Sequence, residues 1–222
     1  MSEELLPALV IEPRRPADAA VIWMHGLGAD GYDFEPIVPQ LGLDDLAIRF
    51  ILPHAPSRPV TINMGNVMPA WYDITAPDLS QGQDVEGTRK SEQLIQAWIQ
   101  SQLDDGIASD RIFLAGFSQG GAIAIHTGLR YPQPLGGIIA LSTYLPLADS
   151  VADEKHAANH QIPIFMAHGS DDMVILLIHA QRSRDILMQL GHEVEWHEYA
   201  MPHSVCPEEI EAIGGWIRGR VG

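Results

Sequence analysis

Short apolar runs recur along the 222-residue chain, and each run ends at a turn residue or at a change to polar sequence. The middle runs are apolar at nearly every position, which is typical of strands buried on both faces of a parallel sheet. The last run alternates between apolar and polar residues and therefore indicates an edge or half-exposed strand. The predicted strands are Ala19–Met24, Ile48–Leu52, Arg111–Ala115, Leu135–Leu141, Pro163–Ala167 and Val194–Tyr199.

Helical periodicity separates these runs. The last helical segment starts with proline and glutamates and ends with arginines, the order that the helix dipole favours. The predicted helices are Val85–Leu103, Gln119–Leu129, His179–Leu190 and Pro207–Arg220. Alternating strands and helices predict a single α/β domain over residues 1–222, with a mostly parallel, doubly wound sheet and helices on both faces. The segment Pro53–Asp84 shows no regular pattern, and we expect it to be a functional, lid-like loop.

The composition narrows the class of protein. Hydrophobic residues make up 46% and charged residues 19% of the chain, which predicts a globular domain. The formal net charge of −16 disfavours binding to nucleic acids and to anionic membranes. Cys206 is the single cysteine, so the chain can form neither an intrachain disulfide nor a cysteine metal cluster. Without a signal-peptide pattern or a long apolar stretch, we expect a cytoplasmic protein with no stable membrane insertion.

The most specific local pattern is Gly-Phe-Ser-Gln-Gly at residues 116–120. It follows an apolar strand and opens a predicted helix rich in small residues. A strand that turns directly into a helix holds its central residue in a strained conformation and exposes that side chain, and flanking glycines make room for the turn. The alternative for Ser118 is a plain helix N-cap. The context favours Ser118 as a nucleophile.

A nucleophilic serine needs a base and an acid that orients the base. Eight histidines follow Ser118 along the chain. His203 stands in the loop after the last strand, where it can lean toward Ser118, and it is the predicted base. Asp171 and Asp172 follow the strand Pro163–Ala167. The residues themselves do not separate these two candidates, and both could instead serve as turn or cap residues.

With these residues identified, the chain resembles the carboxylesterase and acyl-protein thioesterase group of α/β-hydrolases, and within it the small bacterial carboxylesterases. The resemblance extends from about Val21 to Trp216. It is carried by motifs in a fixed order: His-Gly-Leu-Gly at 25–28, Pro-His-Ala-Pro at 53–56, Pro-Val-Thr at 59–61, Trp-Tyr-Asp at 71–73, the serine motif with Gly121, and Gly-Ser-Asp-Asp-Met-Val at 169–174.

The resemblance implies an α/β-hydrolase fold and a triad of Ser118, Asp172 and His203. It selects Asp172 over Asp171 through the family spacing of glycine, aspartate and valine. It also implies an oxyanion hole formed by the backbone N–H groups of Leu27 and Gln119, the second of which agrees with the general rule for such serine turns. The sequence departs from the family pattern at Pro202, where glycine is usual, and in the apolar residues 175–177.

These features predict a serine carboxylesterase that cleaves small-molecule esters with short to medium acyl chains through an acyl-enzyme, without a metal or an organic cofactor. The loops over the strand ends should supply the acyl pocket, with Trp71, Met68 and Leu176 as its predicted substrate-binding residues. The aromatic and leucine-rich loops are compatible with a homodimer.

Three alternatives remain at this stage. A thioesterase or lysophospholipase would use the same triad on another leaving group. An inactive hydrolase fold could serve as a binding module, which an intact triad argues against. A cysteine hydrolase built on Cys206 and His203 is disfavoured, because Cys206 lies in no strand-to-helix turn.

Overall fold

The computed structural model describes residues 5–76 and 82–222. Seven strands form one sheet in the order β1-β3-β2-β6-β7-β8-β9. The strand β1 is antiparallel to β3, and the other neighbouring pairs are parallel. The strands of the described chain are β1 (Ala8–Ile11), β2 (Ala19–Met24), β3 (Ile48–Pro53), β4 (Ser57–Val60), β5 (Asn66–Pro69), β6 (Ile112–Phe117), β7 (Gly137–Leu141), β8 (Ile164–Gly169) and β9 (Val194–Tyr199).

Burial along the strands follows the predicted pattern. Every residue of β2, β7 and β8 is buried, because helices cover both faces of the sheet centre. The strand β9 contains both half-buried and exposed positions and lies at the sheet edge, as its sequence predicts. The six predicted strands are therefore confirmed, with ends that shift by up to two residues. The antiparallel edge strand β1 was not predicted.

Two layers of helices pack against the sheet. On one face, α1, α2 and α4 contribute Trp98, Ile123 and Leu187 to one core cluster. On the other face, α5 contributes Trp216 and packs with two short 3₁₀ helices that carry Phe34, Val38 and Leu41. The helices are α1 (Val85–Asp104), α2 (Gln119–Arg130), α3 (Ala148–Glu154), α4 (Leu177–Gln189) and α5 (Pro207–Val221). This doubly wound arrangement confirms the predicted fold class, although α3 was not predicted.

The segment predicted to be irregular contains a β-hairpin. Strands β4 and β5 pair antiparallel, and the left-handed backbone of Met64 and Gly65 (φ 57° and 76°) reverses the chain between them. The expectation that residues 53–84 are irregular throughout is therefore wrong. Residues 77–81, which belong to the same segment, lie outside the described residues. Within the described ranges, no helix combines the length and the apolar character needed to cross a bilayer.

The sheet brings the predicted site residues together beyond the carboxyl ends of its strands. The chain leaves the carboxyl ends of β2, β6, β8 and β9 in four loops, which carry Leu27, Ser118, Asp172 and His203. Because these strands are parallel, their carboxyl ends meet on the same side of the molecule, where ligands bind in open α/β sheets.

Candidate active site

Ser118 occupies a strained turn between β6 and α2. Its backbone has φ 55° and ψ −121°, a combination that residues with side chains rarely adopt. Hydrogen bonds hold the turn in place: the Ser118 N–H donates to the Leu141 carbonyl at 2.8 Å, and the Thr143 hydroxyl donates to the Ser118 carbonyl at 2.6 Å. The surrounding structure therefore enforces the conformation that a nucleophilic serine needs.

Glycines around Ser118 let the turn pack directly on neighbouring backbone. A Cβ atom at Gly120 would stand 2.2 Å from the carbonyl oxygen of Met24 on β2, and one at Gly116 would stand 2.3 Å from the backbone of Gly120. Real Cβ contacts are never that short, so side chains at these positions would push α2 away from the sheet. The two glycines of the motif are thus required by space rather than by their dihedral angles.

A hydrogen bond joins Asp172 and His203, two of the three residues that the resemblance assigns to a triad. The Nδ1 atom of His203 lies 2.6 Å from Oδ2 of Asp172. The other carboxylate oxygen accepts the backbone N–H groups of Val174 at 2.8 Å and Ile175 at 2.9 Å. Asp172 is 3% exposed, whereas Asp171 is exposed. The structure thus turns Asp172 toward His203, and this contact places a proton on Nδ1 and leaves Nε2 free to act as a base.

The loops that carry Asp172 and His203 are joined by backbone contacts. The Asp171 N–H donates to the Met201 carbonyl at 3.1 Å. A Cβ atom at Gly169, the last residue of β8, would stand 2.3 Å from the Met201 oxygen and 2.5 Å from the Pro202 oxygen. Pro202 therefore fits a loop that presses its backbone against the end of β8. The ring of His203 also packs on Phe117, with ring centroids 4.7 Å apart.

Leu27 and Gln119, the predicted oxyanion-hole residues, line the same cavity as Ser118. Gln119 is the first residue of α2, so its N–H has no partner within the helix and adds to the positive end of the helix dipole. Gly28 has φ 77° and donates its N–H to the Pro69 carbonyl at 2.9 Å, which ties the Leu27 loop to the hairpin. Leu27 and Gln119 therefore lie at the cavity that Ser118 lines, and their role as oxyanion donors stays a prediction.

A network of buried polar groups holds the Leu27 loop. The Nδ1 atom of His25 lies 2.7 Å from the Gly26 carbonyl, and its Nε2 accepts the Ala55 N–H at 3.0 Å. This pairing requires a neutral ring, and burial lowers the pKa of His25 in agreement. The indole N–H of Trp71 donates to the His25 carbonyl at 2.9 Å. The sequence analysis assigned His25 no role, although its place at the end of an apolar strand was a signal.

The side chain of Gln119 has a second function in the same network. Its amide oxygen accepts the Trp71 N–H at 2.8 Å, and its amide nitrogen donates to the Tyr72 carbonyl at 2.7 Å. Gln119 thus fastens the chain after the hairpin to the first turn of α2. Gln119, predicted to act through its backbone N–H, therefore also positions the wall of the cavity through its side chain.

One large, mostly apolar cavity contains the reactive groups. Its volume is about 740 Å³, within the range of pockets that bind small organic ligands. Its described wall contains one acidic side chain, Asp33, and no lysine or arginine. The lining residues are Gly26, Leu27, Ala29, Asp33, Phe34, Ile37, Ile62, Asn63, Tyr72, Ile74, Phe117, Ser118, Gln119, Tyr144, Val174, Ile175, His203, Ser204 and Val205.

The three predicted substrate-binding residues do not belong to this described wall. Trp71 is fully buried and acts through its indole and backbone N–H groups, so its assignment as a substrate contact is wrong. Met68 is half-buried in β5 and receives a contact from Asn63 at 3.2 Å. Leu176 is exposed beside the cavity, and its neighbour Ile175 supplies the wall instead. The order of residues along the chain could not show which side chains of these loops face the cavity.

Two tyrosines, Tyr72 and Tyr144, form part of the cavity wall. The hydroxyl groups of Tyr72 and Tyr144 lie 2.9 Å apart, and burial raises the pKa of both phenols. Both hydroxyls therefore stay neutral, and the pair satisfies polar atoms within an otherwise apolar surface.

Cys206 does not have the properties of a nucleophile. It is the N-cap residue of α5, and burial raises the pKa of its thiol. A raised pKa leaves less thiolate, the reactive form, at neutral pH. The cysteine-hydrolase alternative therefore gains no support from the structure.

Comparisons with known proteins identify the family of this chain. Residues 7–219 match the sequence profile of the phospholipase/carboxylesterase family. The chain is 40% identical to acyl-protein thioesterase 1 of Neurospora crassa, over 97% of this chain and 92% of that protein. It is 33% identical to a probable carboxylesterase of Oryza sativa, over 100% of this chain and 85% of that protein.

A solved structure gives the same result. The crystal structure of Zea mays acyl-protein thioesterase 2 superposes with a TM-score of 0.87 and 30% identity, over 98% of this chain and 100% of that one. The narrower likeness to bacterial carboxylesterases is not supported, since fungal thioesterases are among the similar relatives. The fold, the serine turn and these likenesses lead to one conclusion: the chain belongs to the phospholipase/carboxylesterase family of α/β-hydrolases and is a hydrolase.

Proposed function

We propose that this protein is a serine thioesterase and esterase that removes acyl groups through a covalent acyl-enzyme, with Ser118, His203 and Asp172 as its triad. The observation that carries the proposal is geometric. Ser118 and His203 line one apolar cavity. The Nδ1 atom of His203 is hydrogen-bonded to the buried Asp172 at 2.6 Å. A nucleophile, a base and an acyl-sized apolar space meet at one place.

In the first half of the reaction, the Ser118 hydroxyl attacks the carbonyl carbon while Nε2 of His203 takes the hydroxyl proton. Asp172 holds the imidazole in its productive tautomer and stabilises the imidazolium. The N–H groups of Leu27 and Gln119 stabilise the negative oxygen of the tetrahedral intermediate. The intermediate collapses, the bond to the leaving group breaks, and His203 protonates the departing thiolate or alkoxide.

In the second half, water attacks the acyl-enzyme as His203 takes a proton from it. A second tetrahedral intermediate forms with its oxygen on the same donors and collapses to a carboxylic acid. The proton returns to the Ser118 oxygen, and the enzyme is regenerated. The atoms balance with water as the sole co-reactant.

Two observations support thioesters as the leading substrates. The similar fungal and maize proteins carry the name acyl-protein thioesterase, which makes a cysteine-bound acyl chain the first substrate to test. The chemistry agrees, because a thiol with a pKa of about 8.5 leaves more easily than an alcohol. Oxyesters of short to medium chain length, the substrate predicted from the sequence, use the same atoms and remain the second candidate, since a relative is named a probable carboxylesterase.

The cavity predicts how the rate depends on chain length. Its wall is formed by apolar and aromatic side chains such as Phe34, Ile74 and Phe117. Each buried methylene contributes about 0.8 kcal/mol, which corresponds to a roughly fourfold gain in kcat/KM. The gain should continue until the cavity is filled and then stop, so that activity has a peak rather than a steady rise.

The test compares thioester and oxyester substrates that carry the same acyl chain. S-acylated cysteine peptides and the same peptides O-acylated on serine, with acyl chains from two to sixteen carbons, are assayed side by side, with emulsified triolein and a lysophospholipid in parallel. We expect kcat/KM for the thioester to exceed that for the matched oxyester. A reversed order at every chain length would make the protein a carboxylesterase, and no turnover of any substrate by folded protein would support an inactive binding module.

A further inference from the structure

A second histidine lies beside the acid of the triad. His168 is the second-last residue of β8, and its side chain is fully buried. Its Nε2 lies 2.7 Å from the carbonyl oxygen of Ile175 and 3.3 Å from Oδ2 of Asp172. That carboxylate oxygen is the same one that contacts His203. The proposed reaction gives His168 no role, so its buried polar ring needs an explanation.

The contacts determine the form of the His168 ring. A carbonyl oxygen can only accept a hydrogen bond, so Nε2 must carry the proton that points at Ile175. The other nitrogen, Nδ1, is buried without a hydrogen-bond partner among the described residues. A proton there would leave an unpaired donor in the core, and the ring is therefore neutral. Burial also lowers the pKa of His168.

A chain of hydrogen bonds runs from Asp172 through Ile175 to His168. One carboxylate oxygen of Asp172 accepts the N–H groups of Val174 and Ile175, and the Ile175 carbonyl accepts the N–H of His168. The Nε2 atom of His168 also lies 3.3 Å from Oδ2 of Asp172, the oxygen that contacts His203. Rotation of the carboxylate away from His203 would break its bonds to the Val174 and Ile175 N–H groups, and His168 holds the carbonyl of the same Ile175.

We infer that His168 is a positioning residue of the triad: its neutral Nε2–H fixes the loop 172–175 through Ile175 and thereby holds the Asp172 carboxylate against His203. The inference rests on the proposed function. It differs from a purely structural role, in which His168 would stabilise the fold without changing the rate of catalysis or its dependence on pH.

The charged groups that face His168 are few. Asp172 lies on the loop after β8, and His203 lies on the loop after β9. Glu198 on β9 is the register partner of His168. With Asp172 in place, its negative charge favours the protonated form of His203. If the loop relaxes and the carboxylate turns away, His203 loses this charge partner. The acidic limb of a kcat/KM profile reports this change, because it follows the free base of the enzyme.

The experiment compares His168→Gln with His168→Leu. The glutamine places an amide nitrogen near the position of Nε2 and can still donate to Ile175, whereas leucine has a similar volume and no donor. Active sites are counted with a fluorophosphonate probe, so that kcat refers to folded, reactive protein. We expect His168→Leu to lower kcat roughly ten- to hundredfold with KM nearly unchanged, a partial form of the loss caused by a mispositioned triad acid. The acidic limb should move to lower pH, and His168→Gln should retain most activity.

Two results would overturn the inference. One is a His168→Leu variant with kcat per titrated site within twofold of the parent and an unmoved acidic limb. The other is a glutamine variant that loses as much activity as the leucine variant. If His168→Leu gives no titratable sites, His168→Asn replaces it, because its shorter amide cannot reach the Nε2 position.

The proposed function has a separate readout. Failure of the probe to label the unmodified protein would refute the triad itself. The downfield NMR signal of the proton between His203 and Asp172 tests the positioning role without any turnover: it should weaken or shift in His168→Leu and persist in His168→Gln. An identical signal in all three proteins would contradict the inference while leaving the hydrolase proposal intact.

Discussion

Asp172 and Asp171 are neighbours with opposite surroundings. Asp172 is buried and accepts hydrogen bonds from two backbone N–H groups and from His203. Asp171 is exposed. The pair therefore offers a test in which two adjacent carboxylates are changed in the same way.

We expect Asp172→Asn to lower kcat by about 10²–10⁴, because an amide at this position favours the wrong tautomer of His203. Asp171→Asn should cost less than about tenfold, since its side chain is exposed. Steady-state kinetics on p-nitrophenyl esters measure both changes, and circular dichroism checks that each variant is folded. The opposite ranking would mean that the loop after β8 is displaced by one residue.

Single residues also show where sequence reasoning ends. The pattern around Ser118 predicted a nucleophile because strand, serine and helix occur in order along the chain. The choice between Asp171 and Asp172 depends on which way each side chain points, and periodicity carries no such information in a turn. The role of His168 depends on Ile175 and Asp172, which meet it only in the folded loop.

The turn between β6 and α2 depends on space that only glycine leaves. We expect Gly120→Ala to destabilise the protein by about 1–3 kcal/mol or more, because the added methyl would overlap the Met24 carbonyl, and to abolish most esterase activity. Gly215→Ala on α5 is the matched control. No atom lies within 4 Å of its added Cβ, so this change should stabilise the helix by about 0.5–1 kcal/mol. Urea unfolding measures both, and equal stabilities would contradict the close packing of the turn.

The first turn of α5 contains a buried acid. Glu209 is fully buried, both its carboxyl oxygens lack a hydrogen-bond partner among the described residues, and burial raises its pKa to about 8. The nearby backbone of Cys206 lowers this pKa by a smaller amount. Between the ordinary carboxyl pKa of 4.5 and about 8, the folded state binds more protons than the unfolded state, so stability falls as the pH rises.

Glu209→Gln should remove this pH dependence. We expect the variant to lose less stability than the parent between pH 5 and pH 8, by about 1–3 kcal/mol. Glu208→Gln, at the exposed preceding position, should leave the slope unchanged. Thermal unfolding across this pH range gives the comparison. A parent protein whose stability rises through this window, or a Glu209→Gln variant with the parent slope, would contradict the assignment.

The elements that escaped prediction share a physical reason. The strand β4 is four residues long and includes a proline, and α3 is seven residues long with Val151 as its buried residue. Neither carries enough apolar periodicity to be recognised alone. The hairpin is held by contacts from elsewhere in the chain, such as the bond from Gly28 to Pro69. Strands of the sheet centre could be predicted because burial on both faces demands continuous apolar sequence.

At the scale of the whole molecule, the net charge of the protein and the charge of the cavity wall both disfavour anionic substrates. The net charge is −16, and Asp33 is the acidic side chain in a described wall that contains no lysine or arginine. The field of the protein therefore repels anionic substrates and has little effect on neutral ones.

This predicts a salt effect that depends on the leaving group. Raising the ionic strength from about 0.01 M to 0.1 M shortens the screening length from about 30 Å to about 10 Å. We expect kcat/KM for an anionic coenzyme A thioester to rise roughly threefold or more, and kcat/KM for a neutral thioester of the same acyl chain to stay nearly constant. Asp33→Asn should reduce the salt effect. Equal responses of the two substrates would show that charge does not select them.

The central claim is that Ser118 forms the covalent acyl-enzyme, and fluorophosphonate labelling followed by peptide mass mapping tests it most directly. We expect one label per chain, on the peptide that contains Ser118, and no label on Ser118→Ala, whose kcat should be lower by about 10⁴ or more with the fold intact. A label on another residue, or a Ser118→Ala protein with activity within tenfold of the parent, would contradict the account.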